Sequence, residues 1–269
     1  MTGGGDLPLV SVILTTRNRP RLLRVALACY QHQTYARREL IVVDDGDDFP
    51  ADADGVAAVG GHLIRVEPGT PLGTKLNLGM EASRGRLCQK MDDDDWYAPR
   101  FLERMISAVL ASWRVVCQPT LAFLMPFLFF DLARWEVRRS IPVNVPGATL
   151  LFGPDDWEGR RFRPVRRDED VWFLLDQSRA GVAPLPVHAP ELFLAVRHRG
   201  ASLDRGHTWT HKGDGEQLEA YLGRRPLYEG GPEALLPDWA LKVYREIRAD
   251  LLRRGTPSAS HPRPSGARP

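Results

Sequence analysis

The stretch Lys90-Met91-Asp92-Asp93-Asp94-Asp95-Trp96-Tyr97-Ala98-Pro99 sets four consecutive carboxylates between an apolar run and two aromatic residues. Adjacent carboxylates repel one another, so this arrangement is a poor choice for stability alone. A divalent cation removes the conflict, and hard oxygen ligands select Mg²⁺ or Mn²⁺. The alternative is a solvated acidic turn that caps a helix opened by Pro99, because carboxylates are favoured at helix N-termini.

Two apolar runs upstream predict the fold around these aspartates. Residues 10–14 form a β-branched run that leads through a polar turn into an amphipathic helix at 20–33. A second apolar run, residues 39–43, stops at the acidic sequence DDGDD of residues 44–48. A strand, a helix and a strand of this length predict a βαβ unit with parallel strands.

The four aspartates follow a later strand of the same predicted sheet. A third strand at 62–66 and a helix at 74–83 precede an apolar run that begins at Leu87 and ends at the aspartates. Ligands bind at the carboxyl ends of strands in open α/β sheets, so both acidic clusters are expected at one binding edge. Asp44 and Asp45 by themselves are equally typical of an Asx turn.

The remainder of the chain predicts mixed strands and helices, then a C-terminal helix and a polar tail. Apolar runs predict strands at 114–117, 121–130, 135–140, 149–152 and within 183–194. Helical spacing of apolar residues predicts helices at 100–111, 169–180 and 237–254. The Pro-rich residues 256–269 are expected to be disordered.

Composition excludes several classes of protein. The formal net charge of +2 lacks the basic excess typical of nucleic-acid binders, so no nucleic-acid partner is expected. Three distant cysteines predict a reducing compartment, and the N-terminus lacks the features of a signal peptide, so we expect a cytoplasmic protein. The most apolar segment, 121–130, is half the length of about twenty residues that a transmembrane helix needs, so no transmembrane segment is expected.

Six motifs in order resemble those of the family 2 glycosyltransferases, which move a sugar from a nucleotide-sugar to an acceptor. They are VSVILTTRNRP, ELIVVDDGDD, GTKLNLGMEASRG, KMDDDDWYAP, DED and RHRGAS, and the likeness covers roughly residues 9–209. The resemblance implies an α/β GT-A fold: a Rossmann-like nucleotide-binding half with a mostly parallel central sheet flanked by helices, and a mixed α/β acceptor half. We expect one domain at 1–228, with halves at about 8–100 and 101–228, a packed helix at 229–255 and the tail at 256–269.

The resemblance also implies a nucleotide site. Lys75 stands where relatives often have arginine, and it lacks the bidentate fork of a guanidinium group. A carboxylate such as Asp44 can accept hydrogen bonds from a base imide or a ribose hydroxyl. The residues implied to bind the nucleotide are Thr15, Arg17, Asp44, Lys75, Asn77, Asp92 and Asp93.

A metal site is implied by the DXD signature of the family, which maps onto Asp92 and Asp94. Because four aspartates are present the register is ambiguous, and we rank Asp94 first as ligand of Mn²⁺ or Mg²⁺ and Asp92 second. Asp93 and Asp95 can act through water. His198 resembles a late histidine that completes the metal site in some relatives, although a lone histidine is more often structural, and His207 or His211 can take its place.

An acidic pair at the start of a predicted helix resembles the pair that supplies the general base in the family. Inverting transfer needs a carboxylate to take the proton of the acceptor hydroxyl, and Asp170 is expected in that role. Glu169 and Asp168 are expected to orient Asp170 or the acceptor. The alternative is helix capping, since acids are favoured at a helix N-terminus without any catalytic role.

The expected function is therefore metal-assisted, inverting hexosyl transfer from a nucleoside diphosphate sugar, with UDP most often the nucleotide in this family. The acceptor is a carbohydrate, a lipid-linked or a small molecule. Two alternatives stay open: a non-catalytic relative of the GT-A fold that binds a nucleotide or a partner, and a nucleotidyltransferase that makes sugar nucleotides. The second needs a glycine-rich phosphate loop after the first strand, and TTRNRP at 15–20 contains no glycine.

Overall fold

The computed structural model describes residues 7–113, 121–140, 145–197 and 223–255, and its first elements form a βαβ unit. Strand β1 (Val10–Thr16) is buried along its whole length. Helix α1 (Pro20–Gln31) begins with a proline, whose fixed φ suits the first helical turn. Strand β2 (Arg38–Asp44) pairs with β1 in parallel, which confirms the predicted βαβ unit.

The next elements extend this sheet on both sides. They are α2 (Ala53–Ala58), β3 (Gly61–Arg65), α3 (Leu72–Glu81) and β4 (Leu87–Asp92). The four strands lie in the order β3, β2, β1, β4 and are all parallel, so their carboxyl ends meet at one edge. The predicted strands and helix agree with β3, α3 and β4, whereas α2 is not among the predicted elements.

Three short strands complete a seven-stranded sheet beyond β4. They are β9 (Leu151–Phe152), β6 (Ala122–Leu124) and β10 (Leu185–Val187), and the full order is β10, β6, β9, β4, β1, β2, β3. Strand β9 is antiparallel to both of its neighbours, while β10 and β6 are parallel. The sheet is therefore mostly parallel, as predicted.

A second sheet of four strands stands beside the first. Its order is β5 (Trp96–Tyr97), β11 (Phe193–Arg197), β7 (Leu128–Asp131) and β8 (Glu136–Arg139). The predicted apolar strand segment 121–130 divides between β6 in the first sheet and β7 in the second. Pro126 lies between the two strands, and proline has no N–H to donate to a strand ladder.

Within the described ranges, four further α-helices cover the sheets. They are α4 (Phe101–Trp113), α5 (Pro154–Glu158), α6 (Glu169–Arg179) and α7 (Asp238–Gly255). Helix α7 buries Tyr244 and Ile247 in the core and pairs Asp250 with Arg21 of α1. The predicted strand at 114–117 lies outside the described residues. Over the described ranges, no helix combines the length and the apolar composition that crossing a bilayer requires.

The acidic stretch lies in the connection between the two sheets. Strand β4 of the large sheet ends at Asp92, and β5 of the second sheet begins at Trp96. The four aspartates at 92–95, called the aspartate junction below, therefore stand where the sheets meet. The carboxyl ends of β1 and β2 lie beside them, because both strands are parallel to β4 or to its neighbour.

Candidate functional site

The side chains of the aspartate junction alternate between partly exposed and buried. The side chains of Asp92 and Asp94 are 32% and 16% exposed, whereas those of Asp93 and Asp95 are each 4% exposed. The first and third aspartates are thus available to a ligand. The second and fourth are tied into the fold.

Asp93 joins the junction to the loop after β1. The Thr16 hydroxyl donates to Oδ2 of Asp93 at 2.7 Å, and the Arg19 guanidinium donates to Oδ1 at 2.7 Å. Arg19 also donates to Oδ2 of Asp94 at 3.1 Å. Burial raises the pKa of Asp93, and the charge of Arg19 opposes that rise. Asp93, predicted as a nucleotide ligand, lies in a structural network in which Arg19 bridges two aspartates.

Asp95 joins the junction to the second sheet. Its Oδ1 accepts the backbone N–H of Val196 at 2.9 Å and lies 3.4 Å from the Arg197 guanidinium. Burial and the neighbouring Asp94 raise the pKa of Asp95 well above its usual range. Carboxylate oxygens of Asp92, Asp94 and Asp95 all lie within 4.8 Å of one another, which is a spacing that one cation can span.

At the end of β2, Asp44 is used by the loop that follows it. Its Oδ1 accepts the N–H of Gly46 at 2.8 Å, and its Oδ2 accepts the N–H of Ala51 at 2.7 Å. Arg65 donates to Oδ2 at 2.9 Å. Asp44, predicted to hold the base or ribose, therefore makes the hydrogen bonds of an Asx turn and fixes the loop.

The neighbouring Asp45 brings two of the predicted nucleotide residues together. Lys75 is buried, and its Nζ lies 2.5 Å from Oδ1 of Asp45 and 3.1 Å from the backbone oxygen of Thr16. Oδ2 of Asp45 accepts the N–H of Gly69 at 3.0 Å and lies 3.6 Å from Arg17. Lys75 and Arg17 thus meet on Asp45, which was not among the predicted site residues.

The rim of this region carries two guanidinium groups. A Cβ built on Gly69 would lie 3.3 Å from the Arg166 guanidinium and 4.0 Å from that of Arg17. Gly69 has a φ of +86°, in the left-handed region that favours glycine. Thr15, also predicted in the nucleotide site, is paired in register with Asp92 across β1 and β4.

The amide of Asn77, another predicted nucleotide residue, is occupied within the fold. It donates to the backbone oxygen of Phe162 at 2.8 Å. Its oxygen accepts the Trp157 indole N–H at 2.9 Å and the Phe162 N–H at 3.1 Å. Asn77 therefore holds the segment after α5 against α3.

Glu169 and Asp170, called the acid pair below, lie at the first turn of α6 and meet the aspartate junction through Lys90. Nζ of Lys90 lies 2.7 Å from Oδ1 of Asp92 and 3.5 Å from Oε1 of Glu169. Burial would lower the pKa of Lys90, but Asp92, Glu169 and Asp170 together raise it. Burial raises the pKa of Glu169 to about 7, and Lys90 opposes that rise. Asp168 precedes the helix with a φ of 59° and is exposed.

Asp170 lies against the short turn Gly147–Thr149. A Cβ built on Gly147 would lie 1.7 Å from Oδ2 of Asp170, so a side chain at this position cannot be accommodated in place. The Tyr97 hydroxyl accepts the N–H of Asp92 at 2.8 Å and donates to the backbone oxygen of Ala148 at 3.0 Å. The same turn thus contacts the acid pair and, through Tyr97, the aspartate junction.

Gly147→Ala is expected to lower the free energy of unfolding by about 1–3 kcal/mol, because the added methyl group forces either the turn or α6 to move. Gly159→Ala is the matched control, since a Cβ there meets no atom within 4 Å and the backbone φ is −81°. Thermal or denaturant unfolding of both variants measures the effect. Equal stability of the two variants would show that the contact with Asp170 is not tight.

Sequence reasoning missed three residues of this site, which are Arg19, Asp45 and Lys90. The sequence did point to Lys90, because a lysine inside a buried strand needs an acidic partner, and acidic residues had already been predicted at the end of that strand. The predicted metal ligand His198 and its alternatives His207 and His211 lie outside the described residues.

Comparison with known proteins gives consistent matches. The model of the family described as glycosyl transferase family 2 matches residues 11–167, more than half of the 269-residue chain. EpsH of Bacillus subtilis (strain 168), which is named as a glycosyltransferase, is 31% identical over 104 residues, covering 38% of this chain and 30% of EpsH. An uncharacterized glycosyltransferase of Rickettsia bellii (strain RML369-C) is 31% identical over 102 residues, covering 37% of this chain and 15% of that protein. The match thus spans less than a third of either relative.

Solved structures share the fold at low identity. A crystal structure of S. aureus TarS 1–349 in complex with UDP aligns with a TM-score of 0.53 at 15% identity, covering 70% of this chain and 60% of that one. A longer crystal structure of S. aureus TarS aligns with a TM-score of 0.51 at 14% identity, covering 70% of this chain and 36% of that one.

Proposed function

This chain belongs to glycosyl transferase family 2 and has the GT-A fold, and on that premise we propose that it transfers a sugar, with inversion, from a nucleoside diphosphate donor to an acceptor hydroxyl. The observation that carries this proposal is the contact of Lys90 with both Asp92 and Glu169. Glycosyl transfer needs a donor site and a base for the acceptor. The aspartate junction and the acid pair supply these two functions at one edge of the fold.

The nucleoside binds, in this proposal, at the carboxyl end of β1. Thr15 and Arg17 lie there, and Lys75 reaches the same place through Asp45. Asp44 and Asp45 are both buried, and each of their oxygens already accepts a hydrogen bond within the protein, so we propose that Asp45 positions Lys75 and Arg17 for the nucleotide rather than binding it directly. The complex of TarS 1–349 with UDP, a protein of the same fold, supports UDP as the nucleotide part of the donor of this chain.

The donor diphosphate is proposed to bind between the rim guanidinium groups and the aspartate junction. Arg17 and Arg166 both approach Gly69 and offer two guanidinium groups that can donate to phosphate oxygens, and Arg17 also lies 3.6 Å from Asp45 and 3.5 Å from Asp47. Asp92 and Asp94 are the partly exposed members of the junction. The anionic diphosphate needs a cation to lie beside those carboxylates, which supports the metal described next.

The chemistry of the junction fits a divalent cation. Asp92, Asp94 and Asp95 offer only hard oxygen ligands within 4.8 Å of one another, which is the donor set that Mg²⁺ and Mn²⁺ prefer. We assign Asp94 and Asp92 as protein ligands, with Asp95 beside them and His198 as a prediction. When bound, the cation neutralises the negative charge that develops on the leaving diphosphate.

The acid pair carries out the proton transfer. Asp170 accepts the proton of the acceptor hydroxyl as that oxygen bonds to the anomeric carbon from the side opposite the diphosphate. The bond between the anomeric carbon and the phosphate oxygen breaks, and its electron pair leaves with the nucleoside diphosphate. Glu169, held by Lys90, positions Asp170 rather than taking the proton itself.

The domain boundaries and the location of the protein stay proposals. We propose one catalytic domain at 1–228, with the nucleotide half at about 8–100 and the acceptor half at 101–228. The helix within 229–255 packs on that domain. Buried Cys29 and Cys88 are free thiols, which agrees with a reducing compartment and supports the cytoplasm as the location.

A donor assay tests the function. The purified protein is incubated with UDP-, GDP- and dTDP-sugars, with Mn²⁺ or with excess chelator, and released nucleoside diphosphate is measured with and without a mixture of sugar, lipid-linked and small-molecule acceptors. We expect metal-dependent release of UDP from one UDP-sugar, increased by acceptor. No release from any donor, together with tight binding of a protein partner, would favour the non-catalytic alternative. Release of pyrophosphate from a nucleoside triphosphate and a sugar phosphate would favour the nucleotidyltransferase.

A further inference from the structure

We propose that Lys90 is a positioning residue that couples the two substrate sites, because its one buried ammonium group holds Asp92 of the donor site and Glu169 of the acid pair together. The inference rests on the proposed function. It goes beyond that function because it makes Lys90, on the strand that ends at Asp92 of the donor site, responsible for the position of the base Asp170. Lys90 lies on β4, two residues before Asp92, and is 2% exposed.

The geometry gives Lys90 two acidic partners on different elements. Its Nζ lies 2.7 Å from Oδ1 of Asp92, at the end of its own strand, and 3.5 Å from Oε1 of Glu169, on α6. Glu169 is itself 4% exposed, so the ion pair lies in the interior. An ion pair in the interior is weakly screened by salt and water, and breaking it leaves an uncompensated buried charge.

A second connection runs between the same two places and involves no charge. Tyr97 links the N–H of Asp92 to the backbone oxygen of Ala148. The adjacent Gly147 lies against the carboxylate of Asp170. The Lys90 ion pairs and the Tyr97 hydrogen bonds thus join the end of β4 to the start of α6 by two separate routes, which together are called the ring below. In this ring Lys90 supplies the electrostatic link, and the Tyr97 link is expected to survive its removal.

The ring explains why a lysine stands at this buried position. Asp92 and Glu169 place two carboxylates against one ammonium group, and together with the charge of Asp170 they raise the pKa of Lys90. An apolar residue here would leave these carboxylates to repel one another. The acid pair would then move away from the junction, and the base would leave its position relative to the donor.

The test compares Lys90→Met, Glu169→Gln and the double variant with the native protein. Methionine keeps the length of lysine without its charge. We expect Lys90→Met to lower Tm by roughly 10 °C and kcat by about a hundredfold, while the affinity for UDP with Mn²⁺, measured by calorimetry, changes less than about tenfold. Glu169→Gln is expected to lower Tm when Lys90 is present and to leave Tm unchanged or higher when it is absent.

The matched control is Arg138→Met with Glu136→Gln, an ion pair of 2.7 Å within β8, whose removal leaves kcat unchanged.

The outcomes separate this inference from the proposed function. The coupling role is supported if Glu169→Gln lowers Tm in the native protein but not in Lys90→Met, and if Lys90→Met lowers kcat much more than it weakens nucleotide binding. Additive effects on Tm, or native kcat in Lys90→Met, overturn it. If Lys90→Met fails to fold, the inference requires the double variant to fold better, and a double variant that is equally unfolded overturns it. Failure of the native protein to bind or use any nucleotide would overturn the proposed function alone, since the comparison of Tm values needs no activity.

Discussion

Asp94→Asn is expected to lower kcat/KM for the donor sugar by at least about a hundredfold and to abolish the metal-dependent part of nucleotide binding. Asp94 is a partly exposed carboxylate of the junction, and one of its oxygens lies within 4.8 Å of an oxygen of Asp92 and of Asp95. An amide has about the same shape but no charge to attract a cation. Electrostatic stabilisation by a metal contributes several kcal/mol to such transition states, which is the source of the expected loss. Steady-state kinetics and calorimetry with UDP and Mn²⁺ measure both effects.

Two companion variants make the result of Asp94→Asn specific. Asp54→Asn, on the exposed face of α2, is the control for loss of one surface carboxylate and is expected to behave as the native protein. Asp93→Asn is expected to lower Tm instead, because Asp93 accepts hydrogen bonds from Thr16 and Arg19 in the interior. Nucleotide binding by Asp94→Asn that is as strong and as metal-dependent as in the native protein would refute its role as a ligand.

Asp170→Asn is expected to lower kcat by about 10²–10⁴-fold while donor affinity stays within about threefold of the native value. A general base contributes a factor of this size, and asparagine cannot take the acceptor proton. The carboxylate of Asp170 lies beside Gly147 and acts on the donor site only electrostatically, through Lys90, so donor binding is expected to change little. Transfer assays and calorimetry of the same preparation separate the two quantities.

The control for Asp170→Asn comes from the same helix. Asp176 pairs with Arg163 at 2.8 Å and with Arg179 at 3.3 Å on the surface of α6, and Asp176→Asn is expected to retain native kcat. Retention of most of kcat in Asp170→Asn would mean that another group, with Glu169 the first candidate, takes the proton.

The sequence was sufficient to predict the parallel sheet and the place of the acidic clusters. Apolar runs define β1, β2 and β4, the last two stop at acidic residues, and the parallel connection follows from the intervening helices. Sequence alone did not reveal that residues 121–130 supply strands to two different sheets. Both strands are apolar, and their partners β9 and β11 come much later in the chain.

Roles within the clusters were harder to predict because adjacent residues face different ways. Asp44 and Asp45 are neighbours in the sequence, yet Asp44 accepts hydrogen bonds from its own loop and Asp45 forms an ion pair with Lys75. A similar alternation separates the partly exposed Asp92 and Asp94 from the buried Asp93 and Asp95. A shift of one residue exchanges such roles, and no local pattern determines which oxygen meets which distant donor.

A thermal-shift measurement with UDP, GDP, dTDP and CDP, each with Mn²⁺ and with excess chelator, tests the central claim most directly. A ligand that binds only the folded state raises Tm, by an amount that grows with the logarithm of its concentration divided by its Kd. We expect UDP to raise Tm with Mn²⁺ present and to lose most of that effect with chelator or in Asp94→Asn. If none of the four nucleotides raises Tm under either condition, this chain is not the metal-dependent nucleotide-sugar transferase proposed here.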